Sequence, residues 1–475
     1  MTAASGGSVS AWSRVVRARR GEQRLEYPDR VVDTESFVFD QPRGETGPTD
    51  WALIAALDCE RLTQPPVRIS LAEVTAVDIG RGAHRAVHAA GGRVRVDLSD
   101  RWTSQLHARL LRDGDGWSVE DAGSKNGTRV NGEGVGRAVL ADGDVLEVGS
   151  TFLVLRRAPV AALAHGGAPD RVGGLATMSP AFERELAVLA KIARSGVPVL
   201  VRGESGTGKE IVAKAVHALS GRRGPLLPVN CGAIPAALLE GELFGSRRGA
   251  FSGAEDRIGL VRSADHGTLF LDEVVELPAT SQAALLRFLQ DGEILPLGAD
   301  KRILVDVRIV AATNKPIEEL VAQGQFRHDL HARLCGYVMR LPPLHARIED
   351  LGLLVGSLLA RLEPDGPARR LSRGAARALF RHSWPLNVRE LEQALRAALA
   401  TATGAEIGAE DLRLASADLT TPGTDESDAR ARIIALLERH AGNVSAVARS
   451  LATSRSQVAR LLARHGLTPG DYKRR

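Results

Sequence analysis

A chain of 475 residues is longer than single hydrophobic cores usually grow, so about three domains are expected. Its 44% hydrophobic and 25% charged residues are those of soluble globular protein, and no apolar run approaches the roughly 20 residues that cross a bilayer, which points to the cytoplasm and away from membranes. The net charge of +5 is uneven: residues 428–475 carry ten Arg or Lys against three acids, a local +7 that leaves −2 for the remainder and marks this end as the one to bind a polyanion.

In chain order, residues 1–50 combine Gly, Pro, Ser and charge without periodicity and are expected to be a mostly disordered leader; Arg14, Arg17, Arg19 and Arg20 are not followed by the apolar core of a signal peptide. Residues 51–157 contain short alternating runs, as at 93–98 and 145–148, separated by turns such as Asp113-Gly114-Asp115-Gly116, the pattern of a β-sandwich. Residues 158–175 are rich in Ala, Gly and Pro and read as a linker. From 176 to 412, buried-type strands at 197–201, 268–271 and 307–311 alternate with amphipathic helices, as in a parallel α/β sheet. A second linker, 413–428, precedes the all-α segment 429–467, where Ile433, Leu437, Val444, Val447, Leu451, Val458 and Leu462 recur mostly three or four residues apart; 468–475 is a basic tail. The three cysteines, Cys59, Cys231 and Cys335, are too few and too scattered for a disulfide framework or a zinc site and are expected as buried free thiols.

The strongest chemical signal is Gly203-Glu204-Ser205-Gly206-Thr207-Gly208-Lys209, placed between an apolar strand and a helix at 210–219. Glycines let backbone N–H groups converge on phosphate oxygens, the helix N-terminus adds partial positive charge, and Lys209 reaches the outer phosphates. Glu210 stands where Ser or Thr normally helps to hold magnesium. Downstream, the strand at 268–271 runs into Asp272-Glu273, an acidic pair at the sheet edge where ligands collect.

The loop together with Glu210 resembles the phosphate loop of sigma-54-dependent transcription activators of the AAA+ superfamily, and the resemblance extends over residues 176–412, with a helical lid from about 346. It implies an ATPase using ATP and Mg²⁺. By this resemblance Asp272 holds the metal, Glu273 polarises the attacking water, Asn230 restrains Glu273, Asn314 is sensor I and Arg389 is sensor II. Arg327 and Arg333 match the pair inserted into a neighbouring subunit's site, which implies a homo-oligomeric ring, typically a hexamer. Gly249-Ala250-Phe251-Ser252-Gly253-Ala254 resembles the family's GAFTGA loop, with Ser252 for threonine, and implies a mobile tip that presses on sigma-54 RNA polymerase.

Residues 430–466 resemble a Fis-type helix-turn-helix, which implies that Arg455, Ser456, Gln457 and Arg460 face double-stranded DNA at upstream sites. The first segment resembles a forkhead-associated (FHA) domain through Gly80-Arg81, Ser104-Gln105-Leu106-His107, Ser124-Lys125-Asn126-Gly127-Thr128 and Val130-Asn131-Gly132. That implies phosphothreonine binding by Arg81 and Ser104, peptide-backbone binding by Asn126, and structural roles for His107 and Asn131. The chain departs from these patterns at Gln105, Ser252, His331-Ala332, Leu386 and Ala452. With no receiver domain before the ATPase, the expected input is a serine/threonine kinase pathway. Two other readings stay open at this point: a DNA-binding repressor or phosphopeptide adaptor with a structural ATPase module, and an ATPase that remodels a different target.

Overall fold

The computed structural model describes residues 48–163, 171–249, 255–414, 426–440, 442–450, 458, 462 and 467–472. Residues 1–47 of the expected leader, most of the expected sigma-54 loop (Ala250 to Ala254) and the four side chains expected to face DNA, Arg455, Ser456, Gln457 and Arg460, lie outside the described residues, as do parts of both linkers; the end of the expected leader, Thr49 and Asp50, already belongs to the first strand.

Twelve strands from Thr49–Asp58 to Thr151–Pro159 form two six-stranded sheets packed face to face. Pairing is antiparallel except that Ala76–Arg81 runs parallel to Arg93–Leu98. In Arg93–Leu98 every second residue, Val94, Val96 and Leu98, is buried, as a half-covered strand requires. Thr49–Asp58 breaks that rule: from Ala52 onward it is buried on both sides. Trp51, Leu53 and Ala55 enter the sandwich core with Trp117 and Ile79, whereas Ile54, Ala56 and Leu57 face a second core that includes Leu351, Val355, Leu379, Leu391 and Leu395. Those last residues belong to the helical lid.

The α/β part holds five parallel strands in the order Leu226–Asn230, Thr268–Asp272, Arg308–Thr313, Val199–Arg202, Tyr337–Arg340. Separate apolar clusters cover its two faces, one built with helices Pro180–Ala193 and Lys209–Ser220, the other with Ala236–Phe244, Ala279–Asp291 and His328–Leu334. The lid follows as helices Leu351–Leu362, Arg373–Arg381 and Asn387–Thr401. Its first helix lies directly on the sandwich: a Cβ at Gly352 would overlap the Ala56 carbonyl oxygen, and one at Gly356 the Leu62 carbonyl oxygen. Toward the C-terminus, Glu426–Arg439 and Val444–Ser450 gather Ile433, Leu437, Val447, Val458 and Leu462 into a small core, and Asn443 Oδ1 caps the second helix by accepting from Ser445 N and Ala446 N.

Residues 158–175, expected as a linker, begin instead with the last sandwich strand, which ends at Pro159, and a helical turn, Val160–Leu163. Burial accounts for both: Ala158 and Leu163 pack together with Ala52. Cys59 and Cys231 are buried and Cys335 half-buried; burial pushes the Cys231 thiol up to about 12 and that of Cys335 to about 11, so neither supplies a thiolate.

Candidate functional site

The phosphate loop leaves the end of strand Val199–Arg202 and enters helix Lys209–Ser220. Gly206 takes φ +78°, and a Cβ there would overlap the Leu386 carbonyl oxygen, so the loop's shape and the closeness of the lid both require glycine. Thr207 Oγ1 donates to Glu204 O at 2.8 Å and steadies the turn. Lys209, 8% exposed, donates from Nζ to Gly203 O at 3.1 Å and lies 3.5 Å from Glu273 Oε1.

The acidic pair sits at the end of the neighbouring strand. Glu273 occupies the left-handed region (φ +50°), an uncommon conformation for a side chain of this size, and directs its carboxylate inward. Its Oε2 accepts Asn314 N at 3.2 Å, and its own N–H reaches Asp272 Oδ1 at 3.1 Å. Lys209, Asp272, Glu273 and the Asn314 backbone are therefore one linked group at the C-terminal edge of the sheet. Asn230 is in register with Asp272 on the adjacent strand, but its Oδ1 accepts from Gly232 N at 3.0 Å while Glu273 bonds elsewhere; the restraint expected between Asn230 and Glu273 is not formed in this conformation. Glu210 turns outward to Lys214, 2.7 Å away.

The lid closes the group from the other side. Arg389 Nη1 donates to Ser205 Oγ at 2.8 Å, Asn387 Nδ2 to Glu204 Oε2 and Ser205 O at 3.0 Å each, and Val388 N to Gly206 O at 3.0 Å. Arg347 Nη2 adds a bond to Thr207 O at 3.0 Å. Asn387 and Arg347 carry no expectation in the sequence reading. Asn387 stands two residues before Arg389, but its burial and its reach to the phosphate loop belong to the folded chain, and Arg347 likewise carries no local mark. Arg327 pairs with Asp329 at 2.7 Å, Arg333 is exposed, and neither hydrogen-bonds to its own chain's phosphate loop. The Asp329 carboxyl is held below its ordinary range by that hydrogen bond from Arg327.

At one end of the sandwich the expected phosphopeptide residues converge. Arg81, exposed at the end of its strand, donates its backbone N–H to Ser104 O at 2.9 Å. Ser104 Oγ accepts Lys125 N at 3.0 Å, and Asn126 Nδ2 donates to Trp102 O at 2.6 Å. Buried His107 ties the two loops together, accepting Ser104 N at Nδ1 (3.1 Å) and meeting Gly127 O through Nε2 (3.2 Å). Two further acids organise the loops. Asp100 accepts from Trp102 N, Thr103 N and Thr103 Oγ1. Asp121 accepts from Ser124 and Thr128; against partial burial, those hydrogen bonds hold its carboxyl below the usual range. Asn131 bonds Asp144 and Val145 N, fastening the far turn of the sandwich.

Residues 175–340 match the family model of the Sigma-54 interaction domain, 77–149 that of the FHA domain and 345–429 that of the AAA+ ATPase lid domain. The chain is 39% identical over 308 residues to the transcriptional regulatory protein GlrR of Escherichia coli, covering 63% of this chain and 69% of GlrR. The chain belongs to the sigma-54 interaction family of transcriptional regulators. As a member of that family it is also 41% identical over 320 residues to the acetoin catabolism regulatory protein of Cupriavidus necator and 42% identical over 287 residues to the DNA-binding transcriptional regulator NtrC of Azospirillum brasilense. These matches take in 63% and 59% of this chain; it spans 48% and 60% of those relatives' own lengths. The regulator is similar to the solved structure of NtrX from Brucella abortus in complex with ADP, at 30% identity over 62% of this chain and 70% of that one, with a TM-score of 0.48.

Proposed function

We propose that this regulator is a sigma-54-dependent transcription activator that hydrolyses ATP in a homo-oligomeric ring of six and remodels sigma-54 RNA polymerase from the closed to the open promoter complex. It binds double-stranded DNA upstream of its promoters, acts in the cytoplasm, and takes its signal as a phosphothreonine peptide at the FHA loops. The observation that carries the reading is the linked group of Lys209, Asp272, Glu273 and Asn314, faced across the phosphate loop by Arg389. Such a group at the C-terminal edge of a parallel sheet is what phosphoryl transfer to water needs.

ATP bound with Mg²⁺ supplies the transferable phosphoryl group and the charge that neutralises it. A single carboxylate such as Asp272, the last residue of its strand, fits that metal, which keeps much of its water and takes phosphate oxygens in preference to a protein cage. Lys209 holds phosphate oxygens, Glu273 orients and deprotonates the attacking water, Asn314 positions Glu273, and Arg389 lets the lid follow the nucleotide. Asn230 restrains Glu273 until the ring is engaged and then releases it to the attacking water, turning to Gly232 N. The exposed Arg327 and Arg333 stabilise charge in a neighbouring subunit's site. The segment Gly249-Ala250-Phe251-Ser252-Gly253-Ala254 delivers the movement to sigma-54, and Arg455, Ser456, Gln457 and Arg460 read DNA from the helical C-terminal segment.

The test is ATP-dependent open-complex formation on a sigma-54 promoter with the intact protein and with Phe251→Ala. The intact protein is expected to open the promoter, and the variant to hydrolyse ATP without opening it. ATP hydrolysis without opening by the intact protein, where a known activator succeeds, would redirect the assignment to another remodelling target.

A further inference from the structure

Lid helix Arg373–Arg381 carries arginines at positions 373, 377 and 381, a four-residue spacing that places them on one face, and all three meet the sandwich. Arg377 forks onto Glu147 with bonds of 2.7 and 3.2 Å, and Arg381 donates to Asn131 O at 3.1 and 3.3 Å. Arg373 behaves differently. Its guanidinium lies 4.9 Å from the centre of the Trp102 ring, and no carboxylate of the described residues forms a salt bridge with it. The guanidinium of Arg101 lies 5.2 Å from the same ring. Trp102 is also the residue whose carbonyl holds the Asn126 amide, so the lid arginine and the peptide-binding loops share a single tryptophan. Glu60 accepts from Trp102 Nε1 at 3.3 Å and sits 3.4 Å from Arg101, and the buried Asp100 accepts from Trp102 N, Thr103 N and Thr103 Oγ1, so among the described residues both acids beside the tryptophan are engaged while Arg373 has no salt-bridge partner.

We propose that Arg373, Arg101 and Trp102 form a shelf extending the phosphopeptide site, and that this shelf binds acidic residues flanking the phosphothreonine. The inference rests on reading Arg81, Ser104 and Asn126 as the phosphothreonine site. An indole flanked by two guanidiniums offers apolar area together with a positive edge, which favours peptide carboxylates over neutral side chains. A peptide seated there touches the sandwich and the lid at once. Through the apolar core that Ala375 and Leu379 share with Leu391 and Leu395, it bears on the helix whose Asn387 and Arg389 hold the phosphate loop. Kinase input would then reach the nucleotide site by direct contact with the lid.

The experiment measures binding of the full chain, by fluorescence anisotropy, to phosphothreonine peptide pools of random sequence with glutamate, alanine or arginine fixed on both sides of the phosphothreonine. Wild type is expected to favour the glutamate pool over the alanine pool by about five-fold, the scale of one partly exposed ion pair. Arg373→Ala brings that ratio close to one, and Arg373→Glu, a charge reversal that tests the same contact independently, moves the preference to the arginine pool. Equal binding of the glutamate and alanine pools by wild type, or a preference that survives both substitutions, overturns the shelf and leaves the phosphothreonine site standing. If wild type binds none of the pools, or Arg81→Ala binds them as well as wild type, the phosphothreonine reading fails and the shelf fails with it.

Discussion

The lid holds two neighbours by opposite means. Toward the phosphate loop its bonds are polar and local: Arg389 to Ser205, Asn387 to Glu204 and Ser205, Val388 to Gly206, Arg347 to Thr207. Toward the FHA sandwich it shares a continuous apolar core, with Phe152 stacked on Phe380 at 5.2 Å, and two salt bridges across the seam, Arg377 to Glu147 and Arg156 to Glu349. Hydrogen bonds to a loop at a cleft exchange readily for bonds to water or ligand, at a net cost of about 1 kcal/mol each. A buried apolar seam has no such substitute, because separating it exposes its whole area to water. Lid and FHA domain are therefore expected to move together, with the yielding contact on the nucleotide side.

The largest effect that sharpens this contrast falls on the polar side. Glu273→Gln keeps the size of the side chain and removes the base, so ATP turnover is expected to fall about 10²- to 10³-fold with nucleotide binding retained; phosphate release and titration with a fluorescent nucleotide measure the two quantities separately. Unchanged turnover would move the chemistry away from Glu273.

On the apolar side the sensitive point is Gly352. Gly352→Ala forces helix Leu351–Leu362 off strand Thr49–Asp58, and a loss of about 3 kcal/mol in urea unfolding is expected, together with separate melting of sandwich and lid in calorimetry. A single transition with wild-type stability would mean that the seam is not what joins the two domains.

The smallest effect sits at the base of the lid. Asp350 accepts from Thr177 Oγ1 at 2.8 Å and Met178 N at 2.6 Å, and its complete burial, outweighing the attraction of Arg347, pushes its carboxyl up to about 6 from the ordinary 3.8. A raised folded-state pKa means that the folded chain takes up the proton first. The stability contributed is full below about pH 4 and is lost as pH rises through about 6. Lowering the pH from 7.5 to 5 should therefore stabilise wild type relative to Asp350→Asn by about 1 kcal/mol, read from urea melts of both proteins at both values. A difference independent of pH would show that the carboxyl titrates in its ordinary range.

Local sequence determined a good deal of this protein by itself. The phosphate loop, the acidic pair after a buried strand, the alternating sandwich strands and the FHA loop motifs are short-range patterns, because each depends on backbone conformation and side-chain chemistry within a few residues. The strand at Thr49–Asp58 also carried a legible hint: its unbroken apolar run, where a strand such as Arg93–Leu98 alternates, signals cover on both faces. What provides that cover is not written there, since the lid helices come some 300 residues later and apolar faces do not name their partners. Tertiary structure alone decided that Gly352 would lie on Ala56, that Asn387 and Arg347 would hold the phosphate loop, and that Arg373 would reach Trp102. Hydrophobic burial is non-directional; it requires that such surfaces be covered, and only the packing of the whole chain selects which surface covers which.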